Sequence, residues 1–267
     1  MSIYKYHVLK SIGLSERCNL EYLPRLKSQT YPADAIILRR GDMPQCWTHI
    51  VSGLVGVVVP EAREKLTPIN VLGDGAWFGE ADIFSEQPAT MEYVSLTPTR
   101  VLCMPIEDMQ SAFLHQPEFA RYLARLNAWR SRQQSEMLAL MRSNNPQLRV
   151  VMGIGLIAQA LLNSASHLPG YEPENGLEIP LKQGLLASIC GVSRGVFSGS
   201  IQQLAANDLL EVSYSTLKVL RLKDWARLPE NYRNCEAVTT RRSIQEIIDL
   251  VLPPTVDLRV MSGNPFL

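Results

Sequence analysis

Two different spacings of apolar residues divide the chain near Ile106. Before it, short runs rich in Val, Ile and Leu alternate with glycine and proline, as in TYPADAIILRRGD and THIVSGLVGVVV. After it, apolar residues recur every three or four positions far beyond Pro117. The first pattern predicts short strands and the second predicts helices. We therefore expect an α+β protein that begins with one or two short helices within residues 7–28 and continues as an antiparallel barrel or jelly roll, with a charged hairpin tip at residues 60–65.

The segment after Pro117 predicts one long helix of about 26 residues. Its stripe has alternating steps of four and three: Phe119, Leu123, Leu126, Arg130, Gln133, Met137 and Leu140. Such a heptad repeat is typical of a helix that pairs with another helix, although an amphipathic core helix shows much the same stripe. The polar residues in its middle, Arg130 and Gln133, either set the register of the pair or face a bound ligand.

The segment LKQGLLASICGVSRGVFSGSIQQLAANDLLEVSYSTLKVLRL predicts a helix, a turn, a second helix and a two-stranded wing. Gly191 can adopt the positive φ of the tight turn, and Ser193 is a good N-cap for the second helix. The outward positions of that helix, Arg194, Ser198 and Gln202, carry groups that can bond base edges in the major groove of DNA. The alternative is a helical hairpin that only packs.

Charge and cysteine usage add a local signal and exclude several classes. The formal net charge is zero, but residues 181–242 hold nine Lys and Arg against five Asp and Glu, an excess of four, which is the form that a DNA footprint takes. The five cysteines are scattered without CxxC spacing, so neither a zinc site nor a disulfide framework is indicated. The N-terminus lacks a signal sequence, and no run is long enough to span a membrane. We expect a cytoplasmic protein with reduced thiols.

The stretch GAWFGEADIFSEQPATMEYV, residues 75–94, opens like a turn that holds a phosphate. It contains Glu80, Asp82, Glu86 and Glu92, and no Lys or Arg. A phosphate buried without a cation loses a charge-assisted bond and keeps its desolvation cost. The stretch therefore predicts either a site for another ligand or a site that no longer binds one.

These motifs resemble, in their order, the CRP/FNR family of bacterial transcription factors, named after the cyclic-AMP receptor and the fumarate–nitrate reductase regulator. The carrying motifs, within residues 7–228, are TYPADAIILRRGD, HIVSGLVGV, GDGAWFGEADIF, the long helix and ICGVSRGVFSGSIQQLAANDLLEV. The resemblance implies a cyclic-nucleotide-binding-type jelly roll, a dimerisation helix and a winged helix-turn-helix. It also implies a homodimer on a palindromic operator of double-stranded DNA, with RNA polymerase as a further possible partner.

The implied domains follow the motifs: a sensor at residues 1–115, a dimerisation helix at 116–143 that pairs through 117–142, and a DNA-binding domain at 144–228. The extension at residues 229–267 runs beyond the usual end of the family. Its segment SIQEIIDLVL has helical apolar spacing. It could pack on the winged domain, cover the DNA-binding face or bind another protein.

The chain departs from the family in the phosphate cassette. In nucleotide-binding members a Gly-Glu pair bonds the ribose, and an arginine a few residues later neutralises the phosphate. Here the Gly-Glu pair is kept but Pro88-Ala89-Thr90 follows, so cyclic AMP is not expected, and Arg39 or Arg40 is the nearest substitute cation. We interpret Glu80 as a relic that bonds backbone amides. The candidate effector residues are Gly79, Glu80, Ala89, Thr90, Arg130 and Gln133.

Other effectors of the family have no motif here. An iron–sulfur cluster needs several cysteines near the N-terminus, where Cys18 stands alone. A haem needs an axial ligand, and His7, His49 and His115 lie in no recognisable motif. We expect no cofactor and no metal. Another small ligand, a protein partner or no effector at all remain open.

The recognition helix departs as well. Many members read Ser-Arg-Glu-Thr-Val at its start, whereas this chain follows Ser193 and Arg194 with Gly195 and Val196, and has a further glycine at Gly199. Val196 could touch a thymine methyl and Gln202 could read lower in the groove. The candidate DNA contacts are Ser193, Arg194, Val196, Ser198 and Gln202, with Lys182, Gln183, Ser215 and Lys218 facing phosphate.

Two functions are compatible with these features. The first is a homodimeric, sequence-specific regulator with an effector other than cyclic AMP or with none. The second is a regulatory scaffold that no longer reads DNA and acts through protein contacts. The sequence contains no nucleophile elbow, P-loop or metal-binding helix motif, so we do not expect an enzyme.

Overall fold

The computed structural model describes residues 2–59, 67–165, 176–213, 215–225, 227–228 and 243–252. The helices within these ranges are α1 (Ser2–Ser11), α2 (Glu16–Tyr22), α3 (Glu80–Ser85), α4 (Ile106–His115), α5 (Pro117–Met141), α6 (Pro146–Ala165), α7 (Gln183–Ile189), α8 (Arg194–Ala206) and α9 (Ile244–Val251). The strands are β1 (Lys27–Tyr31), β2 (Ile36–Leu38), β3 (Cys46–Ser52), β4 (Val55–Val59), β5 (Thr67–Leu72), β6 (Trp77–Phe78), β7 (Glu92–Ser95), β8 (Thr99–Pro105), β9 (Leu177–Ile179), β10 (Leu210–Val212) and β11 (Leu217–Val219). The predicted hairpin tip at 60–65 and most of the C-terminal extension lie outside the described residues.

Two four-stranded antiparallel sheets form the N-terminal half, with strand orders β1-β8-β3-β6 and β2-β7-β4-β5. This arrangement confirms the predicted jelly roll. Hydrogen bonds do not join the described strands into one closed barrel, because β6 and β2 at the edges have only two and three residues. Aromatic and β-branched side chains such as Ile50, Val55 and Phe78 fill the space between the sheets, which is the packing that favours strand formation.

Two turns in this half require glycine. Gly53, with φ of +108°, turns the chain between β3 and β4, and a Cβ there would lie 2.6 Å from the carbonyl oxygen of Pro98. Gly79, with φ of +98°, directs the chain from β6 into α3. The left-handed region costs a glycine nothing, whereas a side chain would be strained in it. The second turn aims the first residue of α3, Glu80, at the long helix.

The predicted heptad stripe of α5 faces its own chain. Phe119 and Leu123 are buried in the sensor core, and Leu140 is buried in the core of the C-terminal half. Gln133 donates from Nε2 to the carbonyl oxygen of Leu156 in α6 at 3.4 Å. The stripe is therefore the core-facing side of an amphipathic helix, the second of the two interpretations. The physical reason is that α5 packs on the sensor at one end and on α6 at the other, and both contacts use this side.

The opposite side of α5 carries a second heptad-spaced stripe that is exposed. It consists mainly of small side chains: Ala124, Ala128, Ser131, Ser135 and Leu138. Leu138, a large apolar residue, is 66% exposed. This surface is named the small-residue stripe below.

The C-terminal half confirms the predicted helix-turn-helix. The axes of α7 and α8 meet at 103°, within the range typical of this motif. Gly191 has φ of +63° in the turn, and the Ser193 hydroxyl accepts from the Val196 amide at 3.3 Å. The wing has three strands, in the order β10-β11-β9, rather than the two predicted, because β9 pairs with β11 from a point before the helices. Among the described residues no single helix is long and apolar enough to cross a membrane, and only the bent pair α7–α8 passes that test of length and composition when taken together.

The described part of the extension packs on the winged domain. Helix α9 begins with a capping box, in which Ser243 and Glu246 bond each other's backbone amides. Its apolar side is buried against α6 and α8 through Ile244, Ile247 and Val251. Neither of the other two possibilities, covering the DNA-binding face or presenting an apolar face to another protein, describes this helix. Burial of such a stripe is the main source of stability for a helix of eight residues.

Candidate effector cavity and nucleic-acid interface

A cavity of about 710 Å³ lies between the second sheet, α3 and α5. Four of the six predicted effector residues line it: Glu80, Thr90, Arg130 and Gln133. Most of its wall is apolar, and a volume of this size is ordinary for a small-molecule site. The structure thus brings the cassette and the polar middle of α5 together around one cavity.

The other two predicted residues shape the cavity from behind. Gly79 supplies the turn that aims Glu80, as described above. Ala89 is buried, its amide donates to the Asp42 carbonyl at 2.9 Å, and its carbonyl accepts from the Gly41 amide at 2.8 Å. Ala89 therefore fixes the loop against its neighbour and offers no group to a ligand.

Glu80 is held by side chains, not by backbone amides. It is 2% exposed, its Oε1 forms an ion pair with the Arg130 guanidinium, and its Oε2 accepts from the Trp47 indole at 3.1 Å. Arg130 also donates to the Trp77 carbonyl oxygen. The interpretation of Glu80 as a relic that bonds backbone amides is therefore wrong, because α5 places a cation directly above it. Burial lowers the pKa of Arg130 to about 10, so the guanidinium stays charged at neutral pH.

Asp82 stands beside the segment that carries the phosphate-binding arginine in nucleotide-binding members. It is 7% exposed, and burial raises its pKa although its carboxylate accepts a hydrogen bond from the Thr90 amide. Burial, with a smaller contribution from Asp82, raises the pKa of the neighbouring Tyr93 phenol to about 12. The Thr90 amide already donates to the Asp82 carboxylate, so it is not free to donate to an anionic ligand.

Neither predicted substitute cation reaches the cavity. Arg39 and Arg40 are exposed on the turn before β3 and do not line the wall, so that hypothesis is wrong. Among the described lining residues, Glu80 and Asp82 carry negative charge and Arg130 carries positive charge. Since Arg130 is already paired, the surroundings oppose a buried phosphate.

The three described histidines, His7, His49 and His115, lie apart from one another. His49 is buried between Tyr4 and Trp77, its Nε2 lies 3.2 Å from the Tyr4 hydroxyl, and burial lowers its pKa to about 3. His7 and His115 are exposed on separate helices. Within the described ranges no group of three or more His, Cys, Asp or Glu residues could hold a metal ion.

The recognition helix presents most of its predicted contacts. Ser193, Arg194 and Gln202 are exposed, and Ser198 is half-buried. The inward positions are buried as predicted, with Phe197, Ile201 and Leu204 in the core. Val196 differs, because it packs partly against that core and so has less freedom to touch a thymine methyl.

The Arg194 side chain lies against the preceding helix. A Cβ on Gly184 would lie 2.8 Å from the Arg194 Nε, so Gly184 makes room for the guanidinium. Gly195 and Gly199, in contrast, face space with no atom within 4 Å of the added Cβ. The exposed surface of the helix is therefore open along one edge.

The side chains predicted to contact phosphate all lie on the winged domain, but they differ in how exposed they are. Lys182 and Ser215 are exposed, and Gln183 is half-buried at the start of α7. Lys218 forms an ion pair with Glu211 at 3.4 Å across the wing, so a phosphate would have to compete with that carboxylate. Glu211 was not anticipated.

Sequence reasoning also missed most of the cavity wall. Asp82, Tyr93 and the apolar side chains of α5 and β5 were not assigned to a ligand site. The available signal was the Glu-Ala-Asp spacing after Gly79, because two carboxylates in one short helical turn indicate a local charge that needs a partner. The Trp47 indole donates to Glu80 from a strand that is distant in sequence, so no local pattern near Glu80 could have predicted this hydrogen bond.

Comparison with known proteins extends this description. Residues 28–116 match the cyclic nucleotide-binding domain family. The chain is 23% identical over 199 residues to the cAMP-activated global transcriptional regulator CRP of Escherichia coli O6:H1, covering 74% of this chain and 91% of that protein. It is 26% identical over 186 residues to a CRP-like cAMP-activated global transcriptional regulator of Mycobacterium tuberculosis, covering 68% and 78%.

Solved structures share the fold. FixK2 from Bradyrhizobium japonicum aligns with a TM-score of 0.58 at 15% identity, covering 75% of this chain and 96% of that one. A CRP/FNR family transcriptional regulator from Thermus thermophilus aligns with a TM-score of 0.52 at 21% identity, covering 76% and 98%. The fold and the cavity together define a protein that joins a cyclic-nucleotide-binding-type domain to a winged helix-turn-helix. In sequence the chain is similar to transcription regulators of the CRP type over most of its length, and its cyclic-nucleotide-binding-type domain has Thr90 after Ala89 where the resemblance implies an arginine.

Proposed function

We propose that this protein is a homodimeric, sequence-specific DNA-binding regulator that cyclic AMP does not control. The observation that carries the proposal is the recognition helix, whose inward side is buried while Arg194 and Gln202 stay exposed on a winged domain. A helix presented in this way fits the major groove, where arginine bonds guanine and glutamine bonds adenine.

The proposed dimer pairs through residues 117–142, with the small-residue stripe of α5 at its centre. Small side chains let two helices approach closely, and the heptad spacing of the stripe suits a paired helix. The pair would set two recognition helices roughly 34–36 Å apart on a palindromic operator. In this division residues 1–115 sense, 144–228 bind DNA, and the described part of the 229–267 extension supports the DNA-binding domain. RNA polymerase is the partner that a regulator bound at a promoter would meet.

The proposed independence from cyclic AMP rests on charge. The relatives from Escherichia coli and Mycobacterium tuberculosis are cAMP-activated by name. Here Thr90 follows Ala89 where an arginine would be needed, and Asp82 places a carboxylate against the Thr90 amide. A ligand at a hundred times its dissociation constant adds about 2.7 kcal/mol to the free energy of unfolding, so thermal melting with cyclic AMP tests the point directly. We expect no shift.

The DNA-binding proposal is tested with genomic fragments selected by the full-length protein. The best fragment is then titrated at physiological salt with wild type, Arg194→Ala and the control Arg17→Ala, whose side chain is exposed on α2 away from both α5 and α8. One bidentate base contact is worth about 1–3 kcal/mol, so Arg194→Ala should weaken binding by roughly 5-fold to 150-fold. Equal binding by wild type and Arg194→Ala would rule out the proposed mechanism of base reading.

The alternative is a regulatory scaffold that acts through protein contacts and does not read DNA. It is favoured by the two glycines of α8, Gly195 and Gly199, which leave open space where the family carries base-reading side chains. Failure to enrich any fragment from the genomic pool, with the dimer intact, would support this alternative.

A further inference from the structure

One charged group of the cavity beside α5 has no ionic partner among the residues that the structure describes. Glu80 is neutralised by Arg130 and bonded by Trp47. Asp82 lines the same cavity, is 7% exposed, and forms no ion pair within the described parts of the chain. Burying an ionised carboxylate is costly unless a cation accompanies it.

The surroundings of Asp82 suit a cation. The Phe78 and Tyr93 rings stack with their centroids 4.6 Å apart, both line the cavity, and the proximity of Asp82 helps to raise the pKa of the Tyr93 phenol. Aromatic faces attract cations, and they do so more strongly where water is excluded. The charged corner of the cavity thus joins a carboxylate to an aromatic pair.

The rest of the cavity is apolar and adaptable. Three methionines line it, Met91 from the segment before β7 and Met137 and Met141 from α5, and they are called the methionine wall below. Methionine is flexible and polarisable, so such a wall accommodates irregular apolar bodies. Leu72 from β5, Leu138 from α5 and Leu156 from α6 also line the cavity.

We propose that this cavity binds a small organic cation, an amine whose ammonium group pairs with Asp82 and whose apolar body packs against the methionine wall. An anion would meet Asp82 as a like charge, because Arg130 is already committed to Glu80. A neutral molecule would fill the apolar part but leave the carboxylate unpaired. The chemistry of the ligand is therefore set by charge at one end and by apolar volume at the other.

The cavity is also connected to the DNA-binding domain through direct packing contacts. Strand β5 contributes Ile69, Asn70 and Leu72 to the cavity wall and packs on both α6 and α7. A ligand in the cavity therefore touches a strand that contacts the first helix of the helix-turn-helix. The inference rests on the proposed function only in treating the ligand as an effector of DNA binding, since binding itself is measured without DNA.

The test is isothermal titration of the full-length protein with three indoles that share a body and differ in charge: tryptamine, tryptophol and indole-3-acetate. Each is titrated into wild type, Asp82→Asn and Asp42→Asn. The last variant is the matched control, because Asp42 is an exposed carboxylate on a neighbouring turn outside the cavity wall. The Asn substitution keeps the shape of Asp82 and removes its charge.

We expect wild type to bind tryptamine at least about tenfold more tightly than indole-3-acetate, with tryptophol between them, since a charged hydrogen bond contributes about 1.5–3 kcal/mol. Asp82→Asn should lose that preference, and Asp42→Asn should keep it. Absence of tryptamine binding, an equal or better affinity for indole-3-acetate, or an unchanged preference in Asp82→Asn would overturn the proposal. If Asp82→Asn does not fold, the charge series on wild type still decides. DNA binding is measured in a separate experiment, so a failure of the amine-binding proposal can be told apart from a failure of the proposed DNA-binding function.

Discussion

The phosphate cassette, residues 79–90, and the recognition helix α8 both lack charged side chains that the resemblance to the CRP/FNR family implies, with opposite structural results. In the cassette, Arg130 from a distant helix pairs with Glu80, and the Asp82 carboxylate accepts a hydrogen bond from the Thr90 amide. In α8, Gly195 and Gly199 leave open space with nothing in place of the missing side chains. The difference follows from solvent. A buried charge must be matched inside the protein, whereas water replaces a lost contact on an exposed helix.

The two regions therefore differ in kind: the cassette has a changed charge for its ligand, whereas the recognition helix has fewer groups that could contact DNA. The cassette keeps a largely apolar cavity with charge of the wrong sign for a phosphate. The recognition helix keeps its cap and its buried side, so its position is preserved while fewer groups reach outward.

The strongest test of the cassette removes its internal cation. Arg130→Ala leaves the Glu80 carboxylate buried without its partner, and breaking such a pair from one side costs about 3–5 kcal/mol. Denaturant unfolding measures the loss, with Arg132→Ala as the control, because its side chain on the same helix is 59% exposed. That control should change stability by less than about 0.5 kcal/mol.

A similar small loss in both variants would contradict the buried pair. The double variant Glu80→Gln, Arg130→Met sharpens the result. It removes both charges together, so it should be more stable than Arg130→Ala alone.

The support of the recognition helix is tested at α9. Ile247 is fully buried against the winged domain, and its truncation to alanine should cost about 3 kcal/mol through lost burial and a residual cavity. Asp249→Ala, on the exposed side of the same helix, should change little. Equal melting temperatures for the two variants would mean that α9 does not belong to that core.

The sheet beneath the cassette predicts a pH effect. Burial lowers the pKa of His49 from 6.5 to about 3. Between these two pH values the His49 side chain is protonated in the unfolded chain and neutral in the folded protein. The stability from this group is full above pH 6.5 and is lost as the pH falls toward 3. Between pH 7 and 5 the loss should be about 2 kcal/mol.

Stability curves of wild type and His49→Phe isolate this contribution. The difference between them should narrow as the pH falls, because phenylalanine does not titrate. His115→Gln, at an exposed site, should follow wild type. Parallel curves for wild type and His49→Phe would show that His49 is not kept neutral.

The smallest effect concerns the open edge of the recognition helix. Gly199→Ala meets no atom within 4 Å, so it should stabilise the helix by up to about 1 kcal/mol. Gly53→Ala is the contrasting control, because its φ of +108° and the nearby Pro98 carbonyl oxygen require glycine, and it should destabilise. Destabilisation by Gly199→Ala would indicate that this edge is not open.

Part of the candidate site was predictable from local sequence. The Gly79-Glu80 turn, the absence of an arginine after Ala89, and the polar middle of α5 all pointed to a cavity with altered charge. The Asp82–Thr90 contact and the Trp47 donor did not follow, because they depend on how separate strands and turns meet. The same limit applies to the stripe of α5, since heptad spacing does not tell an internal partner from an external one.

The amino-acid sequence by itself determined the jelly roll, the long helix, the helix-turn-helix with its Ser193 cap, and the loss of the cassette arginine, because each depends on spacing or residue type within one short segment. The tertiary structure decided which side of α5 is buried, that Arg130 neutralises Glu80 while Asp82 forms no ion pair with any described residue, that β9 adds a third strand to the wing, and that α9 joins its core. These features depend on contacts between residues far apart in the chain, and the energies of burial and charge pairing that settle them exist only once those surfaces meet.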